Sequence, residues 1–293
     1  MDTVSIVKAT QPSRLMVAHL LDMLEHLDIG SGHSVVVKPN ICYHRDPSGA
    51  IVTNFGLIEA ALEWLKERSR RVVVVESDNR TGTADYRVKT LGLDEVLRRV
   101  DVPFVNLSRE KEVITENVED VEFHVPALVA NADCVVNLPK MKTCAGMTVT
   151  LSLKNSFGLV ADRNKPPMHR HLDRILLKVN RLLRRQLVVV DGIVGMEGNG
   201  PLLGEPVRTK VIVAGMRPAS VDAVCSRIMG FDPAQINHIR TCSEGGLGDL
   251  AADKINVVGE DLKAVAKHYA PPSFAPKTVA KTLRTAARLY LAK

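Results

Sequence analysis

Ser34-Val35-Val36-Val37-Lys38-Pro39-Asn40 decides the fold: three consecutive valines stop abruptly at a lysine, a proline and an amide. Strict alternation would mark a strand with one wet face. An unbroken β-branched run marks a strand covered on both faces, as in a parallel sheet. Val72-Val73-Val74-Val75 repeats the pattern and runs into Glu76-Ser77-Asp78-Asn79. Val4–Val7, Phe104–Leu107, Cys134-Val135-Val136, Leu187–Val190, Lys210–Val213 and Ile255–Val258 extend the series. Helical spacing fills the gaps, over Ser13 to Leu27 and from an Asn54 N-cap through Leu57, Ile58, Ala61 and Leu65. Further helices are expected over about Arg170–Arg185 and Ala219–Met229. Strand–helix alternation predicts an α/β fold, a largely parallel sheet with helices on both faces.

The stretch from Pro139 to Pro167 breaks this rhythm with glycine, proline and a string of Lys, Thr, Ser and Asn, and reads as a long functional loop. It places a division near residue 140. Residues 1–140 form an N-terminal lobe and 141–262 a C-terminal lobe with Lys- and Gly-rich site loops. The two lobes meet at a cleft, and 263–293 form a basic tail helix.

With 293 residues, 45% hydrophobic and 25% charged, the chain is too long for a disulfide-stapled miniprotein and too apolar for a disordered one. One Trp, four Tyr and six Phe are too few for an aromatic platform, which argues against nucleic acid as a partner. No apolar run approaches the roughly 18 residues of a membrane span. The N-terminal residues lack a secretory signal, so a cytoplasmic protein is expected.

The net charge of +6 is unevenly spread. Lys263, Lys267, Lys277, Lys281, Arg284, Arg288 and Lys293 are accompanied by no acidic residue, and before them 32 positives face 33 negatives. The tail has Val279, Leu283, Ala287 and Leu291 at helical spacing beside its cations. That pattern suits an anionic membrane surface or a protein partner. Cys42, Cys134, Cys144, Cys225 and Cys242 contain no C-x-x-C and read as free thiols, with no zinc-ribbon or iron–sulfur spacing.

In open α/β sheets ligands sit beyond the carboxyl ends of the strands. Here those ends deliver Lys38-Pro39-Asn40, Glu76-Ser77-Asp78-Asn79, Asn137-Leu138-Pro139-Lys140-Met141-Lys142-Thr143, and Asp191-Gly192 followed by Glu197-Gly198-Asn199-Gly200-Pro201. Lys38, Lys140, Lys142 and Lys154 together suit a phosphate or carboxylate. The glycines around Glu197 match neither G-x-G-x-x-G nor the Walker pattern, and no G-x-S-x-G elbow is present. Asp78, Asp191 and Glu197 suit a hard divalent cation, or one of them a general base. Cys144 beside Lys142 suits a nucleophile or soft-metal ligand, and His169 and His171 form an H-x-H pair. Asp222 sits in the first turn of a helix, where an acid complements the macrodipole.

Several blocks, taken in order, resemble the family labelled domain of unknown function 362. They are Val37-Lys38-Pro39-Asn40, Asn137 through Thr143, Leu153-Lys154-Asn155-Ser156-Phe157-Gly158, Asp191-Gly192-Ile193 with Met196 through Pro201, Val221-Asp222-Ala223, and Met229-Gly230-Phe231-Asp232-Pro233. The resemblance runs from about Val4 to Glu260. It implies a shared site of Lys38, Asn40, Lys140, Lys142, Lys154, Asn155, Asp191 and Glu197. Many family members carry an appended iron–sulfur ferredoxin module, which implies redox association; that module is missing from these residues. The family commonly has His after Lys-x-Lys-Thr, where this chain has Cys144. The two-lobed layout is similar, by analogy, to nickel-pincer lactate racemase proteins.

The leading expectation is an enzyme acting on a small anionic metabolite in a lysine-rich interlobe cleft. Lys140, Lys142, Asp191 and Glu197 would be catalytic. Lys38, Asn40, Asp78, Lys154, Asn155 and Asn199 would bind the ligand. A divalent metal, if used, would draw on Asp191, Glu197, Cys144, His169 and His171. On this reading charge reversal of Lys140 removes binding without cost to folding. The alternatives are a non-catalytic accessory or carrier protein for a redox or biosynthetic partner, and a metal-dependent oxidoreductase or racemase-like protein.

Overall fold

The computed structural model describes residues 1–24, 27 and 29–291. Its strands are β1 (Asp2–Lys8), β2 (Ser34–Pro39), β3 (Arg71–Glu76), β4 (Phe104–Asn106), β5 (Val113–Val118), β6 (Val121–Pro126) and β7 (Cys134–Leu138). They continue as β8 (Lys140–Cys144), β9 (Thr148–Thr150), β10 (Gln186–Glu197), β11 (Glu205–Val207), β12 (Val211–Gly215) and β13 (Ile255–Gly259). An 11-stranded sheet runs in the order β13-β1-β12-β10-β7-β2-β3-β4, with β8, β9 and β11 branching from β10, and β5 and β6 form a separate antiparallel pair. Every expected strand is found.

The valine runs bury both faces, as their composition predicts. Val35, Val37, Val72 and Val74 pack with Leu57, Ile58 and Leu62 on one side of the sheet, whereas Val36, Val73 and Val75 join Ile175, Leu176 and Val179 on the other. Each such side chain contributes about 1.5–3 kcal/mol over an exposed one. Along the main path only β12 breaks the parallel pattern, antiparallel to both β1 and β10. β10 reaches it through short β11 with no crossover helix, and only a crossover restores parallel direction. Burial on both faces carries no information about strand direction.

Helices fall where apolar spacing predicts. Asn54 caps Phe55–Lys66 by accepting from Leu57 N, and Ser13 caps Arg14–Asp22. The second of these helices ends before the expected Leu27, and residues 25, 26 and 28 of that region lie outside the described residues. Leu172–Leu182 and Pro218–Ile228 supply the other two. No helix among the described residues is long and apolar enough to cross a membrane.

The stretch from 139 to 167 is not a loop. It contains β8, β9, the short helix Ser152–Asn155 and two 3-10 turns, Ser156–Leu159 and Pro166–His171. Every residue of β8 is buried, its two lysines included. The expected division between residues 140 and 141 falls within β8, inside the continuous sheet, so strands from both proposed lobes sit side by side. The tail also differs from the expected single helix. Val265 and Tyr269 are buried, Tyr269 N donates to Met229 O (3.0 Å), and the helix itself begins at Pro276. Lys293 lies outside the described residues.

Register explains how β8 is held. Lys140 stands opposite Asp191 of β10, and its Nζ donates to Asp191 Oδ2 at 2.8 Å, with both side chains essentially without solvent contact. Asp191 also accepts from Asn54 N (2.7 Å) and Ile193 N (3.1 Å), joining β8, β10 and the start of helix Phe55–Lys66. Removing one partner of a buried, hydrogen-bonded pair strands a charge and costs about 3–5 kcal/mol. Lys140→Met should therefore lower unfolding free energy by about that amount in urea titration, and Lys140→Met/Asp191→Asn should recover part of it. Equal stability of Lys140→Met and the unaltered chain would show that the pair does not hold β8.

Candidate functional site

Along the sheet, β2, β3 and β4 follow one another outward in one direction, while β7 and β10 extend in the other. The strand order therefore reverses between β2 and β7, and the crevice beyond the carboxyl ends at such a point is the usual ligand position. A cavity of about 510 Å³ lies there. Lys38 and Asn40 line it from the end of β2, and Glu76, Ser77, Asn79, Arg80 and Thr81 from the end of β3. Lys142 and Thr150 enter from the β8–β9 hairpin; Lys154, Asn155, Phe157 and Gly158 from the segment after it; Lys165, Pro166 and His169 from the next turn. Residues from both sides of the expected 140/141 division thus share one wall.

The lysines are held in different ways. Lys38 Nζ donates to Glu76 Oε2 (2.9 Å) and Pro39 O (2.7 Å). Burial lowers its pKa, and the Glu76 carboxylate opposes that shift. Lys142, fully buried, donates to Ile51 O (2.8 Å) and lies 3.4 Å from Cys42 Sγ. Lys165, 8% exposed, has Ser77 Oγ at 2.6 Å and Phe157 O at 3.1 Å, with the Phe157 ring 5.2 Å away. Burial is the main cause that brings its amine down to about 7; Glu76 opposes this, and the Lys38 and Arg87 charges add to it. Lys154, half-buried, makes no hydrogen bond or ion pair among the described residues. Behind the wall Arg87, fully buried, donates to the carbonyls of Ile41, Ser77 and Gly82.

Lys38, Arg80, Lys142, Lys154 and Lys165 therefore face a space to which Glu76 is the one carboxylate contributed by the lining residues. Burying cations without counter-charge is costly. An anion entering the cavity relieves that cost, in surroundings where each charge-assisted hydrogen bond is strong.

Amides fix the walls. Asn155 Nδ2 donates to Lys38 O (3.1 Å) and Asn137 Oδ1 (2.7 Å), two residues paired across β2 and β7. Asn40 Nδ2 donates to Ile51 O, the carbonyl that also holds Lys142. Asp222, expected to serve its own helix, instead accepts from Ser152 N (2.8 Å), Ser152 Oγ (2.6 Å) and Leu153 N (2.9 Å). It thereby seats the short helix that carries Lys154 and Asn155. Burial pushes its carboxyl up to about 7, against the pull of those three donors.

Lys38, Asn40, Lys142, Lys154, Asn155 and His169 of the expected site meet at the cavity; the others do not line it. Lys140 and Asp191 form the buried pair beneath it. Asp78 accepts from Ala84 N and Asn106 Nδ2 and pairs with exposed Arg163 at 3.0 Å. Glu197 accepts from Ala270 N, and Asn199 bonds Ser273 and Thr282, so both hold the C-terminal segment. Cys144 Sγ lies 3.6 Å from Ala145 O, and His171 lies 3.4 Å from Asp120. Asp191, Glu197, Cys144, His169 and His171 thus do not gather, and among the described residues no three His, Cys, Asp or Glu side chains do.

Glu76 and Lys165 are the residues that sequence reading missed. Glu76 directly follows a valine run and lies within reach of the strand-end rule, which points two residues further on, to Asp78. Nothing local marks Lys165 within Asn164-Lys165-Pro166-Pro167.

Residues 35–227 match the family described as Domain of unknown function (DUF362). A thylakoid-associated protein of Synechocystis sp. is 26% identical over 250 residues, which cover 81% of this chain and 77% of that protein. A crystal structure of a protein from Thermotoga maritima aligns with TM-score 0.36 and 11% identity over 72% of this chain. The chain spans 56% of that protein's length, and so distant a likeness carries no argument.

Gly158 packs its backbone against the Lys38–Glu76 pair. A Cβ there would stand 2.4 Å from Lys38 Cε and 2.6 Å from Glu76 Oε1. Gly158→Ala should therefore displace a buried ion pair and cost about 1–3 kcal/mol, read by thermal or urea unfolding. An unchanged unfolding curve would place Gly158 away from the pair.

Proposed function

We propose that this chain, which belongs to the family Domain of unknown function (DUF362), is an enzyme acting on a small metabolite that carries a carboxylate or phosphate. The observation behind this reading is the surplus of buried cations around one cavity: Lys38, Lys142 and Lys165, backed by Arg87, against Glu76. Lys142 and Lys154 receive the anion, because neither is committed to a carboxylate of the chain. Lys38 is already paired with Glu76. Phe157, Pro166, Pro201 and Leu202 supply an apolar wall for the remainder of the molecule. Lys165, brought to about 7 chiefly by burial, can exchange a proton at the cavity wall, which suits general acid–base work. The cytoplasmic location expected from sequence fits such chemistry.

The test uses sulfate, which stays charged across the range examined. Lys142→Met and Lys154→Glu should each weaken sulfate binding in calorimetry by about tenfold or more, one charge-assisted hydrogen bond being worth about 1.5–3 kcal/mol. Lys142→Met should unfold no earlier than the unaltered chain, since its loss strands no counter-charge. Lys165 is charged below about 7 and neutral above it, so sulfate affinity should fall as pH rises through that value. Undiminished binding in both variants overturns the reading.

A second reading concerns location. Helix Pro276–Leu291 turns Leu289 inward and holds Glu205 through Thr285. It leaves Leu283 (66% exposed) and Val279 outward beside Lys281 and Arg284, with Phe274 (89% exposed) just before it. Apolar residues flanked by cations suit an anionic membrane surface, each cation contributing about 1 kcal/mol there. The thylakoid association named for the Synechocystis relative fits this reading. The chain should co-sediment with phosphatidylglycerol-containing vesicles and not with pure phosphatidylcholine, and Leu283→Glu should release it. Truncation belongs after Ala275, because Val265 and Tyr269 are part of the core. Equal sedimentation with both vesicle types sinks the idea.

A further inference from the structure

Four buried lysines divide by partner. Lys38 faces Glu76 and Lys140 faces Asp191, and each is an ammonium matched by a carboxylate. Lys142 and Lys165 have neutral partners. Burial is what brings the Lys165 amine down, the Glu76 and Asp162 carboxylates opposing it and the Lys38 and Arg87 charges adding to it, and its Nζ sits 2.6 Å from Ser77 Oγ on the cavity wall. A buried amine hydrogen-bonded only to a hydroxyl and a carbonyl, on a cavity wall, is an amine poised to attack a carbonyl carbon.

We propose that Lys165 forms an imine with a 2-oxo acid bound in this cavity, its carboxylate held by Lys142 and Lys154. The inference rests on the anion-binding reading above and names the substrate class for it. A 2-oxo acid places an electrophilic carbonyl beside its carboxylate, so one molecule meets the cation cluster and the amine together. The apolar wall of Phe157, Pro166, Pro201 and Leu202 favours an apolar side chain on that acid.

The step balances without an oxidant or reductant. The Nζ lone pair attacks the carbonyl carbon, the C=O π pair moves to oxygen, and the nitrogen proton is transferred to that oxygen to give a carbinolamine. The nitrogen lone pair then forms C=N as the hydroxyl leaves with a second proton, so one amine and one ketone give one imine and one water. Ser77 Oγ, 2.6 Å from Nζ, accepts and returns the proton. With its amine brought to about 7, Lys165 presents on the order of a thousandfold more free amine at neutral pH than an ordinary surface lysine.

The experiment traps the imine. The full chain is incubated with pyruvate, 4-methyl-2-oxopentanoate or phenylpyruvate and cyanoborohydride at neutral pH, and the adduct is mapped by peptide mass spectrometry. Lactate binding, measured by calorimetry on the unaltered chain, reports the anion site independently of any carbonyl. Modification concentrated on Lys165, stronger with the two larger acids and lost in Lys165→Arg of unchanged thermal unfolding, supports the proposal. Lactate binding with no adduct on Lys165, or with label spread over surface lysines, overturns the imine and leaves the anion site standing. Absence of both lactate binding and adduct overturns the two together.

Discussion

An ammonium group taken out of water must be met by something, and this constraint organises the centre of the protein. Lys140 is met by Asp191, which also receives the backbone N–H of Asn54 and of Ile193. One carboxylate thereby joins β8, β10 and the start of helix Phe55–Lys66. Two residues along the same face of β8, Lys142 is turned toward the carbonyl of Ile51 and the thiol of Cys42. The pair that is satisfied seats the strand, and the strand then presents a lysine that is satisfied less completely. The lysine paired with a carboxylate and the lysine bonded to neutral groups stand one strand repeat apart.

The same division recurs around the cavity. Lys38 is matched by Glu76, whereas Lys165, Lys154 and Arg87 have carbonyls, a hydroxyl or no polar partner. Buried cations without counter-charge cost stability, and an anion placed among them would offset that cost. Topology supplies the location, because the strand order reverses between β2 and β7. Asn155 spans the reversal by bonding Lys38 O and Asn137 Oδ1, and Asp222 holds the helix bearing Asn155 from beneath.

Much of the fold was legible because its signals are local. Valine runs that bury on both faces look the same wherever they stand, and Asn54 caps a helix through an atom three residues from its partner. The β8 strand was not legible as a strand, since two lysines in five residues suggest solvent. Its alternation, Lys140-Met141-Lys142-Thr143-Cys144, was the available signal. The antiparallel β12 escaped for another reason: direction depends on how a strand is reached, and its residues are those of its parallel neighbours.

For the site, sequence determined which strand ends carry cations, and Lys38, Asn40 and Lys142 follow from that rule, whereas Lys154 enters as a further lysine and Asn155 comes with the family's blocks. It also carried the ordered blocks by which the family is recognised. Tertiary structure alone decided that Lys140 and Asp191 neutralise each other, and that Glu197 and Asn199 face the C-terminal segment. It alone brought Lys165 to Ser77, 88 residues away, beside the Lys38–Glu76 pair. The physical reason is that a residue's type sets what charge it can carry, whereas its partners and burial set whether that charge is spent on the fold or left for a ligand.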